Sequence, residues 1–167
     1  MAVLPVRLLP DPVLKAPTQP FDTIDDDARS VGADLLDTMS DASHSVGIAA
    51  PQIGVSARAF AVDVSGHSKA DSCHGAFVLF NPVLILATNY VVGREGCMSV
   101  PDLTGNVARA TEVVVQGLDM DGRLRTIEAN AFEARALLHE LDHVDGLLFL
   151  DRVESLSTDV FRRRRYR

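Results

Sequence analysis

Near its C-terminal end the chain reads His139-Glu140-Leu141-Asp142-His143, two histidines four apart with a glutamate directly after the first. On an α-helix each residue advances by about 100°, so positions four apart stand roughly 40° from one another, one turn along the axis. His139 and His143 can therefore reach one cation, and Glu140, beside that face, can take a proton from a water held there without being a ligand itself. Two imidazoles are too few for a catalytic divalent ion, which takes three protein donors and keeps a position open. The chain offers Cys97, in Arg94-Glu95-Gly96-Cys97-Met98-Ser99-Val100-Pro101, where glycine before and proline after predict a bent, well-defined loop following an apolar strand. A lone cysteine is more often a small buried hydrophobe. Beside two imidazoles, its thiolate would complete a donor set with one position free. Gln52 is the one side chain in Val46-Gly47-Ile48-Ala49-Ala50-Pro51-Gln52-Ile53-Gly54 that can hydrogen-bond, and its amide can donate to a developing oxyanion. The small residues around it allow close backbone approach, although such a segment is more often a plain turn.

These residues need a frame. Ala131 to Leu141 is rich in helix formers and free of proline and glycine; Asn130 with Glu133 predicts an N-terminal capping pair, and Gly146 offers a stop. Just before it, Val113 to Leu118 and Leu124 to Ala129 predict a β-hairpin about the turn Asp119-Met120-Asp121-Gly122. Further strands are expected at Arg58 to Val64, Phe77 to Phe80, Val83 to Leu86 and Tyr90 to Val92, with a short closing strand at Leu147 to Leu150. Ala28, Val31, Leu35 and Met39 recur at helical spacing over Asp25 to Ser40, and Thr23 followed by Asp26 resembles the start of that helix. Pro10 and Pro12 predict an extended N-terminal arm laid against the body. His67 to Gly75 reads as a solvated polar loop, its His67, Cys73 and His74 matching no tight metal spacing. The expected fold is one α+β domain, residues 1–167, in which short antiparallel β-sheets pack around a central metal-binding helix.

A chain of 167 residues buries a full core without staples, so a metal here would serve chemistry. An apolar share of 47% with 23% charged residues is ordinary for a globular protein. Two cysteines, Cys73 and Cys97, exclude a disulfide framework; no disulfide is expected, and a reducing, cytoplasmic setting fits. Pro5, Arg7 and Pro10 interrupt the apolar start, so no secretory leader is expected, and no stretch approaches the roughly 20 apolar residues of a membrane span. The net charge of −7 disfavours non-specific nucleic-acid binding by the body. Arg162 to Arg165 and Arg167 form a basic tail of opposite sign, either a solvated terminus or a contact with RNA or another acidic surface.

Three motifs in this order, Gly47-Ile48-Ala49-Ala50-Pro51-Gln52, Glu95-Gly96-Cys97-Met98-Ser99 and His139-Glu140-Leu141-Asp142-His143, resemble those of the peptide deformylases. The resemblance runs from Pro10-Asp11-Pro12-Val13-Leu14 to Leu148-Phe149-Leu150-Asp151. It implies a metal-dependent hydrolase that removes the formyl group from the N-terminal formylmethionine of nascent polypeptides, releasing formate. Position by position it implies Cys97, His139 and His143 as metal ligands, Glu140 as general acid/base, Gln52 as an oxyanion donor and the Met98 backbone N–H as a second. It implies one divalent ion, Fe2+ foremost, with Zn2+, Ni2+ or Co2+ tolerated. Val46, Gly47 and Ile48 would pair with the peptide in strand fashion, while Phe132 and Ala136 help line an apolar pocket for methionine. The implied partners are N-formyl-methionyl nascent peptides, with the ribosome a further expectation for the basic tail. Ser45 stands where the family commonly has glycine, Leu138 where glutamine is frequent and Met98 where leucine is; these bear on the substrate lip and pocket. Glu95 and Asp142 are candidates to orient a ligand imidazole, with a structural salt bridge as the other reading of each. Two rivals stand beside this function: a zinc endopeptidase, against which the other two motifs weigh, and a ribosome-associated deformylase-like binding protein without turnover, against which Glu140 and Gln52 weigh.

Overall fold

The computed structural model describes residues 2–163. Strand β1 (Gly47–Ala49), β2 (Ala59–Val62), β3 (Phe77–Cys97), β4 (Val100–Leu118) and β5 (Leu124–Asn130) lie side by side in that order, all antiparallel, and β6 (Val160–Arg162) joins β4 at Leu103 to Gly105. The α+β class and the antiparallel pairing stand as expected. The strands are longer than the sequence suggests, because the three pieces expected across 77–92 are one strand. Asn81-Pro82 bends it instead of ending it: Asn81 has φ 50°, its side chain ties both backbone groups of Phe21 at 2.8 Å, and the register slips between Phe80 and Val83. A proline cannot donate to a ladder but is tolerated at such a slip.

Helix α1 (Asp26–Asp41) and helix α2 (Ala131–Val144) cover opposite faces of the inner strands. The alternation of strand side chains accounts for this. Ala59, Ala61, Val78 and Phe80 cluster with Leu35 and Met39 of α1, whereas Phe60, Val62, Phe77 and Leu79 cluster with Leu137, Leu141 and Val144 of α2. Burying each large side chain of these sets contributes on the order of 2 kcal/mol. Helix α2 touches all of β1 to β5. No helix among the described residues is long and apolar enough to cross a membrane.

Several local expectations are corrected. Asp25, not Thr23, caps α1, its carboxylate accepting from Ala28 N at 3.0 Å. Asn130 makes no side-chain cap on α2. Its Oδ1 accepts from Ser72 N, and Glu133, fully buried, accepts from Ser72 Oγ at 2.6 Å and His74 N at 2.9 Å. The pair expected to close on itself thus pins the 67–75 loop to the helix start. The bent loop expected around Cys97 is a tight turn: Cys97 itself ends β3, facing Val100 across the two residues Met98-Ser99. Leu147 to Leu150 is no strand; Phe149–Asp151 form a 3-10 turn, with the Asp151 carboxylate on Leu148 N and the apolar side chains of Leu148 and Phe149 buried. Of the basic tail, Arg164, Arg165 and Arg167 lie outside the described residues, while Arg162 ends β6.

Candidate active site

The turn at the end of β3 and the middle of α2 bring three donors together. The ligand-capable atoms of Cys97, His139 and His143 all lie within 4.8 Å of one another, with Cys97 Sγ 3.2 Å from His143 Nε2. Both Cys73 and Cys97 are free, the first exposed and the second buried. Burial alone pushes the Cys97 thiol up, but His143 and His139 beside it outweigh that and hold it well below its ordinary value. Burial likewise pushes His139 down, and the hydrogen bonds to Cys97 and Glu95 reverse the direction and raise it. A thiolate with two imidazoles is a donor set for a divalent ion of the iron-to-zinc series. Two further buried atoms fit a charged guest: among the described residues Glu140 Oε2 and His143 Nδ1 have no hydrogen-bond partner.

Glu140 is held over this cluster by the absence of a side chain opposite. A Cβ on Gly47 would overlap Glu140 Oε1 and lie 2.9 Å from its Cδ. Burial raises the Glu140 pKa to about 7, against the pull of His139 and His143. A carboxylate that titrates near neutrality is suited to accepting a proton and returning it.

A buried ionic network fixes His139. Glu95 accepts from or faces His139 Nδ1 at 3.0 Å, takes a bidentate pair from Arg109 at 2.9 and 3.0 Å, and takes Arg135 Nη1 at 2.9 Å. Burial pushes Glu95 up, but His139 and Arg109 overcome this and keep it far below the usual carboxylate range. With Nδ1 turned to Glu95, the other ring nitrogen of His139 is left for the donor cluster. Asp142 orients no imidazole. It accepts from Arg109 Nη1 at 2.5 Å and Arg152 Nη2 at 2.7 Å, and so stabilises the arginine that grips Glu95.

Gln52, buried in a 3-10 turn, accepts from Ala49 N at 2.9 Å with Oε1. That bond sets the amide orientation, so Nε2 points inward, 3.5 Å from Cys97 Sγ and 3.2 Å from Ser99 Oγ. A cleft of about 210 Å³ opens over the cluster, lined by Val46, Gly47, Gln52, Met98, Phe132 and Ala136 among others. Ile48 is not among its lining side chains; it is fully buried in the α1 core, and only its backbone lies on the edge strand β1. Ser45 lines the cleft and its hydroxyl donates to Gly47 O at 3.1 Å. Leu138 does not reach the cleft. It turns to a second hollow with Val83, Leu84 and Tyr90, one helical step of about 100° away from His139. Three contributors were not read from the sequence. Ser99 holds Gln52, Arg135 braces Glu95, and His67 stacks on Phe132 at 3.8 Å between ring centroids, 5° from parallel. Ser99 lay inside a recognised motif, whereas His67 carried no local signal, its partner being far away in sequence.

Residues 3–159 match the profile of the polypeptide deformylase family. The chain is 37% identical to a peptide deformylase of Thermodesulfovibrio yellowstonii over 98% of its own length and 97% of the relative's. It is 42% identical to one from Acidothermus cellulolyticus, over 92% of this chain and 81% of that one. Among solved structures, peptide deformylase from Ehrlichia chaffeensis in complex with actinonin superposes with a TM-score of 0.86 at 30% identity, over 94% of this chain and 92% of that one.

Proposed function

The chain belongs to the polypeptide deformylase family, and from that membership and the geometry of its cleft we propose that it hydrolyses the formyl amide of N-formyl-methionyl peptides through Glu140, Gln52 and a cation held by Cys97, His139 and His143. The carrying observation is the meeting of sulfur and two imidazoles within 4.8 Å, with Glu140 Oε2, unpartnered among the described residues, buried beside them. A divalent ion held by Cys97, His139 and His143 would supply Lewis-acid polarisation and lower the pKa of a water towards neutrality. Glu140 accepts the proton of the attacking water and passes it to the leaving amine, freeing formate and the methionyl peptide. Gln52 Nε2 and the Met98 N–H donate to the formyl oxygen as negative charge builds there, each such donor contributing about 3 kcal/mol to the barrier reduction. Val46, Phe132 and Ala136 receive the methionine side chain, and the free edge of β1 offers Gly47 and Ile48 backbone groups for strand-like pairing with the peptide.

Ferrous iron is the proposed metal, on the family resemblance; the donor set alone suits iron, nickel, cobalt and zinc. Metal analysis of protein purified without oxygen tests that choice. On this reading residues 1–167 act as one catalytic domain in the cytoplasm, a setting that formylated nascent substrates and two free cysteines support. A ribosome contact by the C-terminal arginines rests on their charge alone. The function is tested by formate release from a formyl-Met peptide with Fe(II)-loaded protein. The parent should turn over and Glu140→Ala should lose roughly 10²- to 10⁴-fold with its metal retained. Equal rates in the two would remove Glu140 from the chemistry, and cleavage of internal peptide bonds would revive an endopeptidase.

A further inference from the structure

The proposed chemistry uses none of the arginines at the mouth of the cleft, yet two of them are built into its wall. Arg94 lies three residues before Cys97 on β3, stacked on the Phe161 ring with Cζ 3.6 Å from the centroid, its Nη1 donating to Thr104 Oγ1 at 3.3 Å. Arg163 follows β6 directly and is pinned by its own N–H on Asp102 O at 2.8 Å. Its guanidinium lies over Gly96, where a Cβ would come within 2.6 Å of Nη2. So β6 supplies both the ring under Arg94 and the backbone that carries Arg163. Both arginines line the cleft, and among the described residues neither has a carboxylate partner. The acidic residues that line the same cleft are Glu95 and Glu140. Glu95 is committed beneath the surface to Arg109, Arg135 and His139, and Glu140 is buried at the floor. A chain with a net charge of −7 thus presents exposed, unneutralised cations at this mouth.

We propose that Arg94 and Arg163 form an anion-accepting rim that selects formylated chains with aspartate or glutamate at the second or third residue. The proposal rests on the reading of the cleft as a formyl-peptide site. Extended chain advances about 3.3 Å per residue, so Arg94 stands on the order of 10 Å along β3 from Cys97. The proposal directs the second and third side chains of a peptide bound with its formyl end at Cys97 towards the two guanidiniums, which line the same cleft. Planar guanidinium forks suit carboxylates, and at a partly solvated rim each pair contributes modestly and is screened by salt.

The test uses the metal-loaded full-length protein and two sets of C-terminally amidated peptides, formyl-Met-X-Ala-Ala and formyl-Met-Ala-X-Ala, with X as Asp, Asn or Lys. Formate release should give kcat/KM for Asp above Asn by roughly three- to tenfold in at least one set, with Lys below Asn. That margin should shrink as ionic strength rises, a readout that needs no variant. In Arg94→Gln, Arg163→Gln and the double substitution, the Asp-to-Asn ratio should fall towards one. Equal kcat/KM for all three residues in both sets, with formate still released, would overturn the rim alone. A ratio undiminished in the double variant would do the same. Formate from none of the peptides would overturn the deformylase reading of the cleft, and the rim with it.

Discussion

Gly47→Ala isolates the placement of Glu140 from every other property of the site. Gly47 is not in the left-handed region, so alanine meets no backbone strain there. The N–H and C=O that face β2 and the cleft survive the change. What the new methyl meets is Glu140: it overlaps Oε1 and would sit 2.9 Å from Cδ and 3.0 Å from Cγ. Carbon atoms rest at about 3.5 to 4.0 Å, so the carboxylate must retreat by roughly 0.5 to 1 Å. It has little room to do so, because Glu140 is 3% exposed on a helix whose neighbours Leu137, Leu141 and Val144 are locked in the core. A misplacement of about 1 Å at a reacting group costs on the order of 10²-fold.

The expected result for Gly47→Ala is therefore a fall of roughly ten- to a hundredfold in kcat, about 1.4 to 2.7 kcal/mol, on a formyl-Met tripeptide. Metal content measured on the same sample should match the parent, since none of the three donors moves. Urea unfolding should show no more than a modest loss of stability. A kcat within threefold of the parent, at full metal content, would refute the claim that the bare Cα of Gly47 sets the position of the base. Loss of metal instead of kcat would place the methyl's effect on the ligands.

Other changes separate the remaining parts of the site. Gln52→Ala should lower kcat by roughly 10²- to 10³-fold with little change in metal content, as removal of an oxyanion donor does; an unchanged kcat would leave Gln52 only its structural bond to Ala49 N. Glu95→Gln removes one of the two carboxylates that hold buried Arg109 and the carboxylate that partly buried Arg135 pairs with, and should cost about 3 kcal/mol by urea unfolding, together with roughly 10- to 100-fold weaker metal binding through His139. Asp151→Asn probes a weaker pair. Burial tends to raise the Asp151 pKa, but the hydrogen bonds from Lys15 and Leu148 N hold it below its ordinary value. A depressed carboxylate stabilises the fold above its unfolded pKa of about 4 and loses that contribution as pH falls through the folded value. The half-exposed pair should therefore make parent and variant differ by less than about 1 kcal/mol at pH 7 and not at all near pH 2.

How far the site could be read ahead of the fold depends on sequence distance. That His139 and His143 share one face follows from a spacing of four on a helix whose composition announces it, and both expectations are local. The contact of Cys97 with them spans more than forty residues; the need for a third donor made Cys97 a candidate, and the resemblance of three ordered motifs singled it out. Where polar side chains have a choice of partners, local reading failed. Asn130 and Glu133 have capping spacing, but Ser72 and His74 from the distant 67–75 loop offered better bonds and took them. Asp142 sits next to a ligand histidine in sequence, yet one step around the helix turns it towards Arg109 and Arg152. The same step sends Leu138 away from the cleft. The arginine run at the C-terminus left a solvated tail and an acidic partner both open, because nothing local shows that β6 pairs with β4 and delivers Arg163 to the mouth.

One helix does two jobs in this arrangement, and the ionic network explains how they are compatible. Asp142 follows His139 by three residues, so α2 presents a ligand on one side and, from the adjoining turn, anchors Arg109 on another. Arg109 belongs to β4 and grips Glu95 of β3, which in turn holds His139. The circuit closes: helix to β4, β4 to β3, β3 back to the helix. Any slide of α2 along the sheet would break charge-assisted bonds at both ends at once, in a place too buried for water to replace them. Cys97 lies two residues beyond Glu95 on the same strand, so the bond that aims the imidazole also fixes the sulfur it must meet. The strand and the helix that carry the donors are thus tied to each other through Glu95, which makes Glu95, not the ligands themselves, the residue whose loss should disturb geometry and stability together.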